Sequence, residues 1–223
     1  MVERTQQGNF DVSTAREDIL NRIRRANGAE RGSRQEDYGD LLRNYRQAGT
    51  LGLQARLDLF VDRLHDYDAA VYWSTEPRIR ETVAGVMTER DKSGLLIPAD
   101  LPTEWLPAGF SFVPDSGLSY SDIDASQGVL TGCALAIAMT GTIVLRQSPG
   151  EGRRALTLIP DYHLCVVFAN QVVETVSQGI REMANFSGAP LTTISGPSAT
   201  SDIEMTRIKG VHGPRTLDVI LIE

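Results

Sequence analysis

The chain has 223 residues, of which 41% are hydrophobic and 23% are charged. This length suits one large α/β domain or a domain with an appendage, and the composition argues against wholesale disorder. The formal net charge of −7 argues against a general nucleic-acid binder or an anionic-membrane binder. Residues 1–48 contain nine arginines and eight acidic residues, a net charge of +1, whereas the remainder carries −8. We therefore expect an N-terminal helical arm and linker over 1–48 and an α/β domain over 49–223.

The sequence lacks the patterns of a membrane span, a secretory signal, a cluster or a metal site. No apolar run approaches about 18 residues, and the first residues lack the apolar segment of a signal peptide. The two cysteines, Cys133 and Cys165, lie in apolar stretches, so we expect buried free thiols in a cytoplasmic protein. With three scattered histidines (His65, His163 and His212), they are too few for an iron–sulfur cluster or a structural zinc site. We expect no cofactor and no metal.

The N-terminal arm is predicted to contain two helices. Capping-box spacing at its start and Gly28 at its end predict a first helix over 13–27. A polar linker over 29–37 and a second helix over 38–48 follow. The apolar stripes of these helices need a surface to pack on, so the arm can lie against the body or against a partner.

From residue 51 onward, helical and strand patterns alternate. Amphipathic periodicity predicts helices over 53–64, 77–90, 171–184 and, briefly, near 201–209. Apolar runs predict strands over 69–73, 95–98, 110–113, 134–138, 142–145, 163–168, 191–195 and 216–222. The loop 148–152 is expected to join the strands on either side of it as a hairpin. Continuous apolar strands between amphipathic helices predict an α/β fold with a central sheet covered on both faces.

A candidate anion site lies in the segment 192–204, which reads as a strand, a glycine turn and a helix start. Backbone N–H groups near Gly196, with the hydroxyls of Ser198 and Thr200, can hold a carboxylate or a phosphate. Asp202 opposes a second negative charge there. The alternative is that glycine, proline and a helix cap only shape a strand-to-helix corner. The position after a strand favours ligand binding, because such folds bind ligands at the carboxyl ends of strands.

A second candidate follows at Gly210–Pro214, where two glycines flank His212. Glycines permit turns with positive φ and present the imidazole on a loop. A loop histidine next to Gly213 can transfer a proton or contact an anion. A structural role for the histidine is an equal alternative.

Two further places carry candidate ligand contacts. Thr140, Gly141 and Thr142 separate two apolar strands, and the glycine indicates either a tight turn or a close approach by a ligand. His163 lies near a strand end, where a satisfied core histidine is the favoured alternative to a ligand contact. No Walker loop, dinucleotide fingerprint, nucleophile elbow or His-Glu-x-x-His motif is present.

Together these segments resemble the LUD domain family, specifically its lactate utilization protein C (YkgG) branch. The similarity runs from about residue 51 to the end. It rests on the segments 136–144, 160–164 and 195–204 with 210–214. The first segment departs from the family pattern, because Met139 stands where an acidic residue commonly precedes Thr-Gly-Thr. A role of that carboxylate therefore does not transfer to this chain.

The resemblance implies a fold like that of the sugar-phosphate isomerase and CoA-transferase (NagB/RpiA) superfamily, a three-layer α/β/α sandwich. It also implies a role in a cytosolic complex that oxidises L-lactate to pyruvate, with two iron–sulfur proteins as partners. The cysteine count agrees with a chain that holds no cluster itself.

Three functions follow as hypotheses. The leading one is a non-cluster subunit of a lactate-oxidising complex that binds a partner and a small carboxylate, with the arm as a docking element. The second is a stand-alone enzyme acting on a small acid, phosphate or acyl thioester. The third is a ligand-sensing or purely structural protein, which binds or assembles without turnover.

Overall fold

The computed structural model describes residues 12–26, 44–147, 150–186, 188–197, 199–200, 208–209 and 213–223. The chain divides into two compact units, Met1–Tyr45 and Arg46–Glu223. In the described part of the chain, no helix has the length and apolarity needed to cross a membrane.

The first unit contains helix α1, Val12–Ala26, where the sequence predicted a helix. Two residues of its apolar stripe, Ile19 and Ile23, are at least half exposed. Of the second predicted helix, 38–48, only residues 44–48 are described, and they are not helical. The prediction is therefore wrong for those residues, which form an irregular segment that leads into the second unit.

The second unit contains the remaining elements. Its helices are α2 Leu53–Asp66, α3 Ile79–Glu89, α4 Tyr120–Asp124 and α5 Val176–Ala184. Its strands are β1 Ala70–Ser74, β2 Gly94–Pro98, β3 Ser111–Asp115, β4 Val129–Thr131, β5 Leu135–Ile137, β6 Thr142–Arg146, β7 Tyr162–Phe168, β8 Val172–Val173, β9 Leu191–Ser195, β10 Ala199–Thr200, β11 Ile208–Lys209 and β12 Thr216–Ile222. A main sheet of six parallel strands has the order β1-β12-β7-β4-β2-β3.

The inner strands of the main sheet are mostly apolar because helices cover both of its faces. Along β7, Cys165 and Val167 face a buried cluster that includes Phe60 of α2. Leu164 and Val166 point to the opposite face, where α3 packs. The chain therefore has an α/β fold with a parallel central sheet flanked by helices, as the sequence predicted.

A second sheet of four strands has the order β8-β5-β6-β9 and is mostly antiparallel. Helix α5 packs closely on it, because a Cβ added at Gly179 would lie 2.5 Å from the side chain of Ile137. The predicted hairpin through 148–152 is wrong. Both edges of β6 are paired, with β5 and β9, so no edge is left for β7, which pairs in the main sheet.

Two helix predictions differ from the structure. The helix predicted over 171–184 starts later, since α5 begins after Thr175, whose side chain accepts a hydrogen bond from the Gln178 N–H at 3.2 Å. Ile180, an apolar residue of α5, is 58% exposed. The helix predicted near 201–209 does not include 208–209, which pair with β10 as a strand. Residues 201–207 lie outside the described residues.

Candidate functional site

A cavity of about 250 Å³ lies at the amino ends of two neighbouring strands of the main sheet. His163 and Leu217 are the second residues of β7 and β12, and they are paired in register. Ser195 and Gly196 line the cavity from the end of β9, and Gly213 lines it just before β12. We call this space the amino-edge cavity, defined by Arg154, Thr157, His163, Thr193 to Pro197, Gly213, Pro214 and Leu217.

Among the described residues, the buried histidine of this cavity has a hydrogen-bond partner at one ring nitrogen. His163 is 1% exposed, and its Nε2 lies 2.8 Å from Thr131 Oγ1. Its Nδ1 has no hydrogen-bond partner among the described residues. Buried polar atoms in folded proteins nearly all have a partner. The favoured sequence interpretation, a satisfied core histidine, is therefore met at Nε2 but not at Nδ1.

Arg154 brings a positive charge to the cavity, and the sequence analysis missed it. It lies at the start of a 3-10 turn, Arg154–Thr157, where its Nη1 donates to the carbonyl oxygen of Thr157 at 3.2 Å. No carboxylate in the described part of the chain pairs with it. The preceding residue, Arg153, instead donates to Asp115 at 2.6 Å, and this hydrogen bond lowers the pKa of the Asp115 carboxyl. The sequence alone does not indicate which of these two adjacent arginines lines a cavity.

A row of hydroxyl groups connects the Thr140 turn to the cavity. Thr140 Oγ1 lies 2.7 Å from Thr142 Oγ1, and Thr142 Oγ1 lies 2.8 Å from Ser195 Oγ. Gly141 has a left-handed φ of 56°, and a Cβ there would lie 2.9 Å from Cβ of Arg63 in α2. This glycine therefore makes a tight turn against a helix, and Thr142 reaches the cavity through Ser195.

The structure brings three of the predicted site residues to one place. His163, Gly196 and Gly213 all line the amino-edge cavity. Thr200 lies in β10, opposite Ile208. The remaining candidates, Ser198, Asp202 and His212, lie outside the described residues.

A second cavity, of about 260 Å³, lies at the opposite, carboxyl edge of the main sheet. Two carboxylates line it. Asp100 accepts a hydrogen bond from the Gly150 N–H at 2.8 Å, and Glu151 pairs with Arg146, its Oε1 lying 3.3 Å from Nε. A ligand carboxylate there would meet acidic side chains, whereas in the amino-edge cavity it meets Arg154. The amino-edge cavity is therefore the candidate site for a small anion.

Both cysteines are free and buried, as the sequence predicted. Cys133 lines the carboxyl-edge cavity, and its thiol donates to Gln171 Oε1 at 3.4 Å. Hydrogen bonding with Cys165, and then burial, raises the pKa of the Cys133 thiol. Such a thiol stays protonated and is a poor nucleophile. Within the described ranges, no group of three or more His, Cys, Asp or Glu side chains has an arrangement that could hold a metal ion.

Comparison with known proteins relates the chain to one family. The LUD domain family matches residues 120–222. Lactate utilization protein C of Deinococcus radiodurans is 40% identical over 214 residues, which are 95% of this chain and 98% of that protein. Lactate utilization protein C of Shouchella clausii is 30% identical over 116 residues, which are 50% of this chain and 45% of that protein.

A solved structure gives the same relationship. The crystal structure of a DUF162 family protein from Deinococcus radiodurans is 38% identical in sequence, with a TM-score of 0.69. The similarity covers 78% of this chain and 100% of that one. The structural similarity thus covers most of this chain, and the D. radiodurans lactate utilization protein C matches nearly all of it. The chain therefore belongs to the LUD domain family, in its lactate utilization protein C branch.

Proposed function

We propose that this protein acts in lactate utilization, as the subunit without a cluster in a cytosolic complex that oxidises L-lactate to pyruvate. Its partners in this proposal are two iron–sulfur proteins, and its amino-edge cavity binds a small carboxylate. The names of its relatives support the pathway. The cysteine count supports the division of labour, because two cysteines are fewer than the about four that a cluster uses.

The observation that carries the ligand class is the guanidinium of Arg154, which lines the cavity and pairs with no carboxylate of the described residues. A guanidinium matches the geometry of a carboxylate and can donate two parallel hydrogen bonds to it. The nearby acid Asp161 does not compete, because it accepts from Arg215 Nε at 2.9 Å. A volume of about 250 Å³ lies just below the range of drug-sized pockets, so the ligand is small.

The neutral groups of the cavity suit the rest of such a ligand. Ser195 presents a hydroxyl that is already oriented by Thr142, and Gly196 and Gly213 bring backbone close to the same space. Each group can exchange hydrogen bonds with the oxygens of a small acid. In this proposal Arg154 supplies the positive charge that binds the carboxylate, and the hydroxyl and backbone groups orient the ligand.

A binding measurement tests the ligand class. We expect L-lactate to bind the wild-type protein in isothermal titration calorimetry and Arg154→Gln to bind it about 10- to 100-fold more weakly, since a charged hydrogen bond contributes about 1.5–3 kcal/mol. The control is Arg80→Gln, which removes an exposed guanidinium that donates to the carbonyl oxygen of Glu104. Equal affinities in Arg154→Gln and the wild type would exclude this cavity as the carboxylate site.

Reconstitution tests the role in the complex. We expect pyruvate formation from L-lactate by the two iron–sulfur proteins to depend on this chain, and this chain alone to form none. Pyruvate formation at an equal rate without the chain would contradict the proposal. Turnover by the isolated chain would instead favour a stand-alone enzyme.

The N-terminal arm, 1–48, is the proposed docking element. Helix α1 exposes Ile19 and Ile23 and carries Arg24 and Arg25 in its last turn, a combination that suits a partner surface with apolar and acidic groups. We expect a chain lacking 1–48 to lose co-purification with the iron–sulfur proteins while it keeps L-lactate binding. Unchanged co-purification would exclude docking through the arm.

A further inference from the structure

A short segment that precedes helix α2 is fixed on the surface of helix α5. We call this segment, residues 46–51, the strap. Ser177 Oγ donates to the carbonyl oxygen of Arg46 at 2.8 Å, and the guanidinium of Arg181 donates to the carbonyl oxygen of Gln47. The two donors are four residues apart in α5, so they lie on one side of the helix. The strap therefore belongs to the second unit, which begins at Arg46.

A buried carboxylate holds the strap from the side of the core. Glu174 is 1% exposed. Its Oε1 lies 2.5 Å from Arg46 Nη2, and its Oε2 accepts a hydrogen bond from the Leu51 N–H at 2.7 Å. The fit is close, because a Cβ added at Gly49 would lie 2.4 Å from Oε2. The strap is thus ordered in the free chain, so a partner that contacts it does not have to order it on binding.

Four apolar side chains are exposed around this carboxylate. The Met139 N–H donates to the carbonyl oxygen of Glu174 at 3.0 Å, so Met139 and Leu51 both contact this residue. Val176 and Ile180 follow in α5, one turn apart on one side of the helix. We call Leu51, Met139, Val176 and Ile180 the strap face, and all four are 38–58% exposed. Single exposed apolar residues are common, but a group of them at one place indicates an interaction surface.

We propose that the strap face is a second contact surface for the partner protein that binds the N-terminal arm. This inference rests on the proposed docking of the arm, 1–48, and adds a fixed surface to it. The covalent connection supports this occupant, because the chain of the arm enters the second unit at Arg46 in the strap. A partner bound to the arm is therefore tethered at a high local concentration near the strap face.

Charge indicates the same partner. The exposed Arg181 follows Ile180 directly and adds a guanidinium at the border of the strap face. Helix α1 has the same combination, because it exposes two isoleucines and carries two arginines in its last turn. One partner surface with apolar residues bordered by acidic groups is complementary to both. Within the proposed complex, this partner is one of the two iron–sulfur proteins.

The variant Ile180→Glu tests the surface in the full chain. We expect it to bind the iron–sulfur proteins about tenfold more weakly or worse in biolayer interferometry, because the new charge would be buried against apolar groups. Its affinity for L-lactate should equal that of the wild type, since the amino-edge cavity is not altered. The matched control is Val113→Glu, which should bind the partners as the wild type does. Val113 is 42% exposed and lies in β3, an edge strand of the main sheet.

Two other occupants of the strap face give different results with the isolated chain. We expect Ile180→Glu to leave both the mass in light scattering and the midpoint of urea unfolding unchanged. A lower mass would show that a second copy of this chain covers the face. A lower midpoint would show that the chain itself covers it. Either result would overturn the proposal.

Hydrogen exchange of the full chain gives a reading that does not depend on a variant. We expect the amides of α5 to exchange more slowly when the iron–sulfur proteins are added. Unchanged exchange there, or wild-type affinity in Ile180→Glu, would overturn the strap face as a contact while leaving the complex in place. If the wild type does not bind the iron–sulfur proteins, the proposed complex fails and the inference fails with it.

Discussion

Replacing Arg90 with methionine (Arg90→Met) removes the guanidinium that ties the end of α3 to β12. Nε and Nη2 of Arg90 each donate to a carboxylate oxygen of Asp218 at 2.7 Å, and the Tyr162 hydroxyl donates to Oδ2 at 3.0 Å. The Asp218 side chain is 0% exposed, and that of Arg90 is 34% exposed. Methionine preserves the apolar stem of the side chain, but it leaves the buried carboxylate without this counter-charge.

The expected loss follows from burial. Removing one partner of a buried ion pair costs about 3–5 kcal/mol, because the other charge stays out of water. Water reaches about a third of Arg90, so we expect a loss near the lower end, about 3 kcal/mol in the free energy of unfolding. For a folded unit of about 150–250 residues, this corresponds to a fall of about 6–12 °C in the unfolding midpoint.

Urea denaturation followed by tryptophan fluorescence, with an unchanged slope against urea, measures this loss. The matched control is Arg78→Met, which breaks the exposed pair of Arg78 with Glu81 and should leave the midpoint of unfolding unchanged. The double variant Arg90→Met with Asp218→Asn should recover part of the stability, since no buried charge remains. A loss below about 0.5 kcal/mol in Arg90→Met, the range of ordinary surface substitutions, would refute the argument.

Two further predictions concern a glycine turn and a carboxylate, Asp115, whose side chain is only 5% exposed. Gly141→Ala should destabilise the protein by about 1–3 kcal/mol in the same urea assay, because of the left-handed φ and the contact with Arg63. Gly85→Ala should instead stabilise the protein by about 1 kcal/mol, because Gly85 lies in helix α3 with open space around it. Because Arg153 lowers the pKa of Asp115 from its ordinary 3.8, the pair stabilises the fold fully above that pH and less as the pH falls through it. Arg153→Gln should therefore flatten the loss of stability below pH 3.8, and an unchanged pH profile would contradict this.

The local elements of the fold were predictable because their residues carry a repeated pattern. In α2, Leu57, Phe60 and Leu64 recur at helical spacing, and all three are 0% exposed. The strands β7 and β12 are mostly apolar, with His163 and Asp218 as buried exceptions, because both faces of the main sheet are covered. Such patterns depend only on neighbours in the sequence, so they can be recognised without knowledge of the tertiary structure.

Strand pairing was not predictable in the same way. The loop after β6 resembles a hairpin loop in composition, yet β6 and β7 lie in different sheets. Strand β5, just before β6 in the sequence, and the distant β9 already occupy both edges of β6. Helix α5 shows the same limit, since its apolar Ile180 is exposed while Gly179 packs against the sheet. The helix contacts the sheet closely through the small residue Gly179. A search for periodic large apolar residues does not identify such a contact.

The candidate site was predictable only in part. The sequence identified His163, Gly196 and Gly213 separately, and the fold brings them to one cavity. The sequence did not identify Arg154, because two adjacent arginines differ only in where their side chains extend. Arg153 pairs with a carboxylate, whereas Arg154 lines the cavity. The direction of each side chain depends on the 3-10 turn and on the position of Asp115 at the end of β3, and both depend on the tertiary structure.

The location of the site follows from charge more than from strand direction. Folds with parallel sheets commonly bind ligands at the carboxyl edge, but that edge has Asp100 and Glu151 here. At 4 Å and the effective dielectric of a protein surface, two unit charges interact by about 4 kcal/mol. Charge therefore favours a carboxylate beside Arg154 over one beside Asp100. The amino-edge cavity is therefore the site that we propose for such a ligand.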